Sequence, residues 1–236
     1  MASIITNLHA VCARIATAAR AAGRDPASVS LLAVSKTCPA AWVREAVEAG
    51  QRAFGENYAQ EGAEKVALLA GCGLAWHFIG PLQGNKTRLV AEAFDWVHGI
   101  DRLKIAERLS AQRAGERPPL QVCLQVNVSG EASKSGIAPD ELPALARQVA
   151  ALPRLRLRGL MCIPEPGGDE SLLRRRFALL RQLLERLNAE GLALDTLSMG
   201  MSHDLEAAIA EGATIVRVGT AIFGERKKPL ATAATH

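Results

Sequence analysis

The chain has 236 residues, 49% of them hydrophobic, and its 28 Lys+Arg against 24 Asp+Glu give a net charge of +4. That apolar share excludes disorder and supports a sizeable core within the length of one large domain. Aromatic residues reach only 4%, too few for the stacking platforms of single-strand nucleic-acid binders, and the mild positive charge favours an anionic ligand without marking nucleic acid.

The five cysteines (Cys12, Cys38, Cys72, Cys123, Cys162) are scattered, odd in number and lack a C-x-x-C pair. Neither a disulfide framework nor a zinc knuckle is expected, and a reducing cytoplasm is the natural setting. The five histidines show no metal-ligand spacing such as H-E-x-x-H. Arg14 and Arg20 interrupt the N-terminal stretch, and no apolar run approaches the roughly 18 residues that span a bilayer. No signal peptide and no membrane partner are expected.

Ile4, Leu8, Val11, Cys12 and Ile15 recur at helical spacing and predict an opening amphipathic helix that ends near Gly23. Leu31 to Lys36 is an apolar run closed by a lysine, the pattern of a buried strand, and Pro39 opens a helix over 40–49 that stops at Gly50. The alternation then repeats. Strands are expected at 53–56, 75–79, 96–100, 120–127, 155–163, 196–199 and 214–218. Helices are expected at 58–69, 86–93, 101–112 with Asp101 as cap, from about 139, at 171–188 and at 204–210. About eight strand-then-helix units require parallel strands and match an α/β fold, a (β/α)8 TIM barrel with an extra N-terminal helix. No compositional break divides them, so residues 1–236 are expected to form a single domain. A doubly wound sheet is the alternative, but neither G-x-G-x-x-G nor G-x-x-x-x-G-K-[ST] occurs.

A barrel of this class carries its site at the C-terminal ends of the strands. The first strand delivers Lys36 there, the second Asn57 and Tyr58, and the third His77 followed by Gly80, Gln83, Asn85 and Lys86. The fifth delivers Asn127, the seventh Ser198 to Asp204, and the eighth Arg217, Gly219 and Thr220. A lysine at a strand end either reaches solvent or is a partly desolvated amine able to condense with a carbonyl. Gly200 to Asp204 and Gly219-Thr220 lie at strand-to-turn junctions after the last two strands, the usual phosphate cradle of such barrels; ordinary capping by Ser202 or Asp204 is the plain alternative. Arg217 shares a strand face with Gly219, so it either reaches a ligand ring or pairs with a buried carboxylate. A condensing amine, a phosphate cradle and an arginine beside it suggest pyridoxal 5'-phosphate.

The residues that carry this pattern resemble the pyridoxal-phosphate homeostasis protein family, which is similar to the barrel domain of alanine racemase. They are Ala33-Val34-Ser35-Lys36, Phe54 to Tyr58, His77 to Gly80 with Gln83, Asn85 and Lys86, Val126-Asn127-Val128, Glu131 with Lys134-Ser135-Gly136, Gly159-Leu160-Met161, Leu197 to Ser202, and Arg217 to Thr220 followed by Ile222-Phe223-Gly224. The resemblance spans essentially the whole chain. It implies that Lys36 holds the cofactor as a Schiff base, that Ser202, Gly219 and Thr220 hold its phosphate, that Arg217 faces the pyridine nitrogen, and that Asn57 and His77 line the ring. One departure is visible: the family often has a second lysine two positions after the Schiff-base lysine, and here that position is Cys38.

The resemblance also implies a carrier that stores the cofactor and delivers it to apo-enzymes; a monomer is expected. Racemases use a tyrosine from an additional β-domain as second base; this chain has one tyrosine, Tyr58, and only a short tail after Thr220. An arginine at the pyridine nitrogen weakens the ring as an electron sink. Two other hypotheses stay open: a minimal pyridoxal-phosphate enzyme acting on amino acids, and a class I aldolase whose Lys36 attacks a sugar phosphate. Arg174, Arg175, Arg176 and Arg181 are read as a solvated helix face, and Arg154, Arg156 and Arg158 as a ring at the non-catalytic end. Lys134, Lys227 and Lys228 are candidates for a second cofactor docking place.

Overall fold

A computed structural model describes residues 3–130, 135–165 and 169–224. Glu131, Lys134, Lys227 and Lys228 lie outside the described residues. Eight parallel strands close into a barrel in chain order: β1 (Ser30–Val34), β2 (Ala53–Glu56), β3 (Ala75–Phe78), β4 (Trp96–Ile100), β5 (Leu120–Gln125), β6 (Leu155–Met161), β7 (Thr196–Ser198) and β8 (Ile215–Val218). The helices between them are α2 (Ala40–Glu48), α3 (Ala59–Leu68), α4 (Thr87–Ala93), α5 (Leu103–Gln112), α6 (Leu142–Ala150), α7 (Glu170–Ala189) and α8 (Leu205–Ala210). An opening helix α1 (Ile4–Ala21) precedes the barrel and a single turn α9 (Thr220–Phe223) follows β8. The (β/α)8 barrel with its N-terminal helix is the observed fold.

Strand alternation sorts the side chains into two shells. Phe54, Trp76, Phe78, Val97, Val122, Leu124, Leu197 and Val216 face the helices and belong to the main core. Leu32, Val34, Ile79 and Ile215 pack together as a second cluster inside the barrel. Phase therefore decides function: two residues beyond Val34 stands Lys36, and two beyond Ile215 stands Arg217.

α1 is capped by Ser3, whose hydroxyl accepts from the Thr6 N–H, and it buries Leu8, Val11, Ile15 and Ala19 along one stripe. Asn7 donates to the Ile222 carbonyl and Arg14 to the Ser202 carbonyl and to Glu206, so this helix ties down the two loops that follow β7 and β8. In α5 the structure corrects the expected cap. Arg102 is extended at the N-cap, which leaves Asp101 one residue outside the helix and paired with Arg102 instead of with a helical N–H. Asp204 does stand at the N-cap of α8, but its carboxylate turns back to the Met201 N–H.

Several of the arginines flagged in the sequence find local partners. Arg158 stacks over Trp96 at 4.9 Å and pairs with Asp195 at 2.6 Å, at the barrel end opposite Lys36, where Arg154 and Arg156 are exposed. On α7, Arg174 pairs with Glu211 and Arg181 with Glu185, and Arg175 donates to Ser171. Among the described residues no helix is long and apolar enough to cross a membrane, and no three His, Cys, Asp or Glu side chains gather as a metal site.

Candidate functional site

β1 ends at Val34, two residues earlier than the apolar run suggests, because the chain turns at once: the Cys38 N–H bonds the Ser35 carbonyl across Lys36 and Thr37. The period-2 phase of β1 still carries through Lys36, which lines a cavity of about 210 Å³ at the C-terminal mouth of the barrel. Asn57, Ser202, Arg217, Gly219 and Thr220 line the same cavity, with Val34, Ile79 and Ile163 as apolar wall and Met201 and His203 at the rim. These side chains come from loops up to 184 residues apart in the chain and meet only because the sheet closes through the β1–β8 pair.

The loop after β7 is shaped by Gly200, at φ +92°, where a Cβ would stand 2.6 Å from the Ala208 Cβ. Only glycine takes that turn without strain, and it brings Ser202 to the mouth. Beside it, Gly219 is buried and Thr220 exposed at the first turn of α9, whose leading N–H groups have no intrahelical acceptor.

Arg217 is 4% exposed and donates to the Ser198 carbonyl (2.6 Å), the Ser198 hydroxyl (2.8 Å) and the Cys162 carbonyl (2.8 Å). Its partners are neutral oxygens, not a carboxylate, and burial pulls its pKa below the ordinary value. The chain of bonds continues inward: the Ser198 hydroxyl meets His98 Nδ1 at 2.8 Å, and His98 Nε2 meets His77 Nδ1 at 2.9 Å. The Ser198 hydroxyl accepts from Arg217, and the two ring nitrogens of His98 bridge Ser198 and His77. Both imidazoles are neutral. Desolvation lowers His77 to about 3 and drives His98 well below its ordinary range.

The family model described as alanine racemase, N-terminal domain, matches residues 6–227. The pyridoxal phosphate homeostasis protein of Pseudomonas aeruginosa is 66% identical over 226 residues, covering 96% of this chain and 97% of the relative. That of Escherichia coli K12 is 56% identical over 232 residues, covering 96% and 98%. The chain belongs to the pyridoxal phosphate homeostasis protein family. Among solved structures, PipY of Synechococcus elongatus with pyridoxal phosphate bound superposes with a TM-score of 0.79 at 42% identity, covering 89% of this chain and all of PipY.

In this member of the pyridoxal phosphate homeostasis protein family, six of the seven residues singled out in the sequence share one cavity. His77 does not line it; its ring lies lower in the barrel, 5% exposed, stacked on Trp96 at 5.1 Å and bonded to His98. Ser198 and His98 were missed as partners of Arg217 because they stand on different strands from it, and only barrel closure brings the three together. Val34, Ile79 and Ile163 escaped notice as cavity wall, although Val34 and Ile79 lie in phase with Lys36 and His77. Cys123 and Cys162 are both fully buried, and burial pushes them up to about 12, which leaves them as inert thiols.

The neutral histidine pair has a consequence for pH. Unfolded, each imidazole takes up a proton near 6.5, so below that pH the unfolded state binds more protons than the folded one. Stability is full above that value and is lost as the pH falls toward about 3, by ~1.4 kcal/mol per pH unit for each histidine. Urea unfolding across this window will show the decline, and His77→Gln will roughly halve its slope, leaving the His98 contribution. A wild-type profile level from neutral pH down to about 4 would contradict the neutral assignment.

Proposed function

We propose that this chain binds pyridoxal 5'-phosphate in the Lys36 cavity as a Schiff base and serves to store and deliver the cofactor, without turnover of amino acids. The observation that carries the reading is the composition of one small cavity: a primary amine, a buried guanidinium, two hydroxyls and the first turn of α9 around about 210 Å³. Asn57 adds a fit criterion, since its Oδ1 is buried and takes no hydrogen bond among the described residues, an acceptor left for a ligand donor. The relatives named for pyridoxal phosphate homeostasis, and the pyridoxal-phosphate-bound PipY structure, support the same ligand.

Pyridoxal 5'-phosphate supplies an aldehyde that condenses reversibly with a primary amine, losing one water. Lys36 presents that amine from the half-buried end of β1. Ser202 and Thr220 offer hydroxyl donors, and the N–H groups at the start of α9 add charge-compatible donors for a phosphate. Arg217 holds no proton it can give up, so a ring nitrogen facing it stays an unprotonated acceptor. The resemblance gives His77 a place at the ring; its role here is through His98 and Ser198, which hold the Arg217 guanidinium.

Several features favour a carrier over an enzyme. The titratable residues lining the cavity are Lys36, His203 and Arg217. Tyr58, the single tyrosine, is 56% exposed and lines a neighbouring cavity with Gln83 and Lys86. Racemisation needs a proton-moving group on each side of the reacting carbon, and the wall of Val34, Ile79 and Ile163 offers none. The reading extends to apo-enzymes as recipients, a monomer as the working unit, one domain as the folding unit and the cytoplasm as the setting, the last supported by free thiols at Cys12, Cys72, Cys123 and Cys162.

The test is the visible spectrum of the purified protein with borohydride trapping and mass mapping of the adduct. The expected result is a coloured protein, a trapped adduct at Lys36, and no sustained turnover with a panel of L- and D-amino acids. A colourless Lys36 adduct with a sugar phosphate would favour the aldolase. Sustained amino-acid turnover would replace the carrier with an enzyme.

A further inference from the structure

The turn that carries Lys36 is unusual in its second half. Thr37 stands at φ +61°, a left-handed position that favours glycine or asparagine, yet here it holds a β-branched residue. Something must hold it there.

On the helix side of the barrel wall, outside the cavity, Lys65 of α3 is 4% exposed. Its Nζ donates to the Ser35 carbonyl at 2.6 Å, to Glu56 Oε1 at 2.8 Å and to Glu61 Oε1 at 2.7 Å. Glu56 Oε1 also accepts from the Ser35 hydroxyl at 2.6 Å, and Glu61 Oε1 accepts from the Thr37 N–H at 2.5 Å. Both chain neighbours of Lys36 are thus tied to one ionic cluster: Ser35 by its carbonyl and its hydroxyl, Thr37 by its N–H. Lys65 spends its three donors on these contacts and stands off the cavity lining, so it is no second condensing amine. A buried lysine between two carboxylates is costly to desolvate and gains little over an apolar replacement, so its use lies in the geometry it enforces.

We propose that the Lys65–Glu56–Glu61 cluster is the positioning device for the Lys36 amine, holding the left-handed turn at Thr37 so that the side chain enters the cavity. This rests on the Schiff-base reading above. A lysine has four rotatable bonds, and a fixed backbone at its root is what turns a mobile amine into one held at a set distance from a bound aldehyde. Lys65, Glu56 and Glu61 are positioning residues, since none of them lines the cavity.

Two ligands separate positioning from general structural support. Pyridoxal 5'-phosphate reads phosphate, ring and Lys36 together; pyridoxamine 5'-phosphate has an amine in place of the aldehyde and reads phosphate and ring alone. Glu61→Gln removes the charged acceptor of the Thr37 N–H at a half-exposed position and leaves the Lys65–Glu56 pair intact. The expected result is a Kd for pyridoxal 5'-phosphate raised roughly tenfold or more, with slower borohydride trapping at Lys36 and pyridoxamine 5'-phosphate affinity within about twofold of wild type. Lys65→Met, with folding checked by its urea transition, is expected to show the same split more strongly. If Lys65→Met does not fold, Glu61→Gln decides alone. Equal losses for both ligands, or no loss for either, overturn the proposal. A wild-type protein without a Lys36 adduct overturns the Schiff-base reading itself, a failure visible before any variant is made.

Discussion

Lys36→Ala will abolish the visible absorption band of pyridoxal 5'-phosphate bound in this cavity and leave no borohydride-fixed adduct there. The expectation is strong because Lys36 is the one lysine lining the cavity among the described residues, and its neighbour Lys65 is committed to Ser35, Glu56 and Glu61. The substitution removes a half-buried side chain at the barrel mouth, so the stability of the ligand-free protein should move by no more than about 0.5 kcal/mol. The loaded protein behaves differently. A ligand at about 100 times its Kd stabilises the folded state by about 2.7 kcal/mol. Wild type should gain that increment at a ligand concentration where Lys36→Ala gains little, since only the proposed phosphate contacts at Ser202, Gly219 and Thr220 would remain. Thermal unfolding with and without pyridoxal 5'-phosphate measures both. An adduct that persists in Lys36→Ala would move the condensing amine elsewhere and dissolve the case built on this cavity.

Gly159→Ala will destabilise the fold by about 3 kcal/mol or more. Gly159 of β6 stands opposite Thr196 of β7, and a Cβ there would lie 1.8 Å from the Thr196 carbonyl oxygen and 2.7 Å from its carbonyl carbon. These are backbone atoms, so no rotamer change relieves the clash. Relief requires β6 and β7 to part, and in a closed barrel that strains the neighbouring pairs as well. Urea unfolding should show a lower midpoint at unchanged slope. Gly115→Ala is the control: its added methyl meets nothing within 4 Å, so it should be neutral or stabilise by up to about 1 kcal/mol through the unfolded chain. Equal midpoints for Gly159→Ala and wild type would show that the β6–β7 spacing is not what the structure has it to be.

Much of the barrel was legible from local pattern. Each strand carries one or more large apolar residues between helical periodicities, and eight such alternations leave few topologies. The ends were less legible. The apolar run to Lys36 hides that β1 stops at Val34, because the turn is imposed by Glu61 and Lys65 from α3 and not by a turn residue. Asp101 looked like a helix cap from its residue type alone, yet the extended Arg102 moved the helix start beyond its reach. The α9 turn gave no periodicity to find, since four residues are too few to show one.

For the site, the sequence by itself determined the list of chemical groups: a strand-end lysine, hydroxyls and glycines after the last two strands, and an arginine in phase with Gly219. Phase along a strand is a local property, so it can be read without knowing the partners. What only the tertiary structure decided is which groups face one another. Arg217 meets Ser198 and, through it, His98 and His77, from three other strands, and this chain places His77 within the barrel instead of on the cavity. Lys36 likewise takes its aim from a lysine and two glutamates on the far side of the wall. Such contacts depend on closure of the sheet between β1 and β8, a long-range event whose geometry no window of sequence contains.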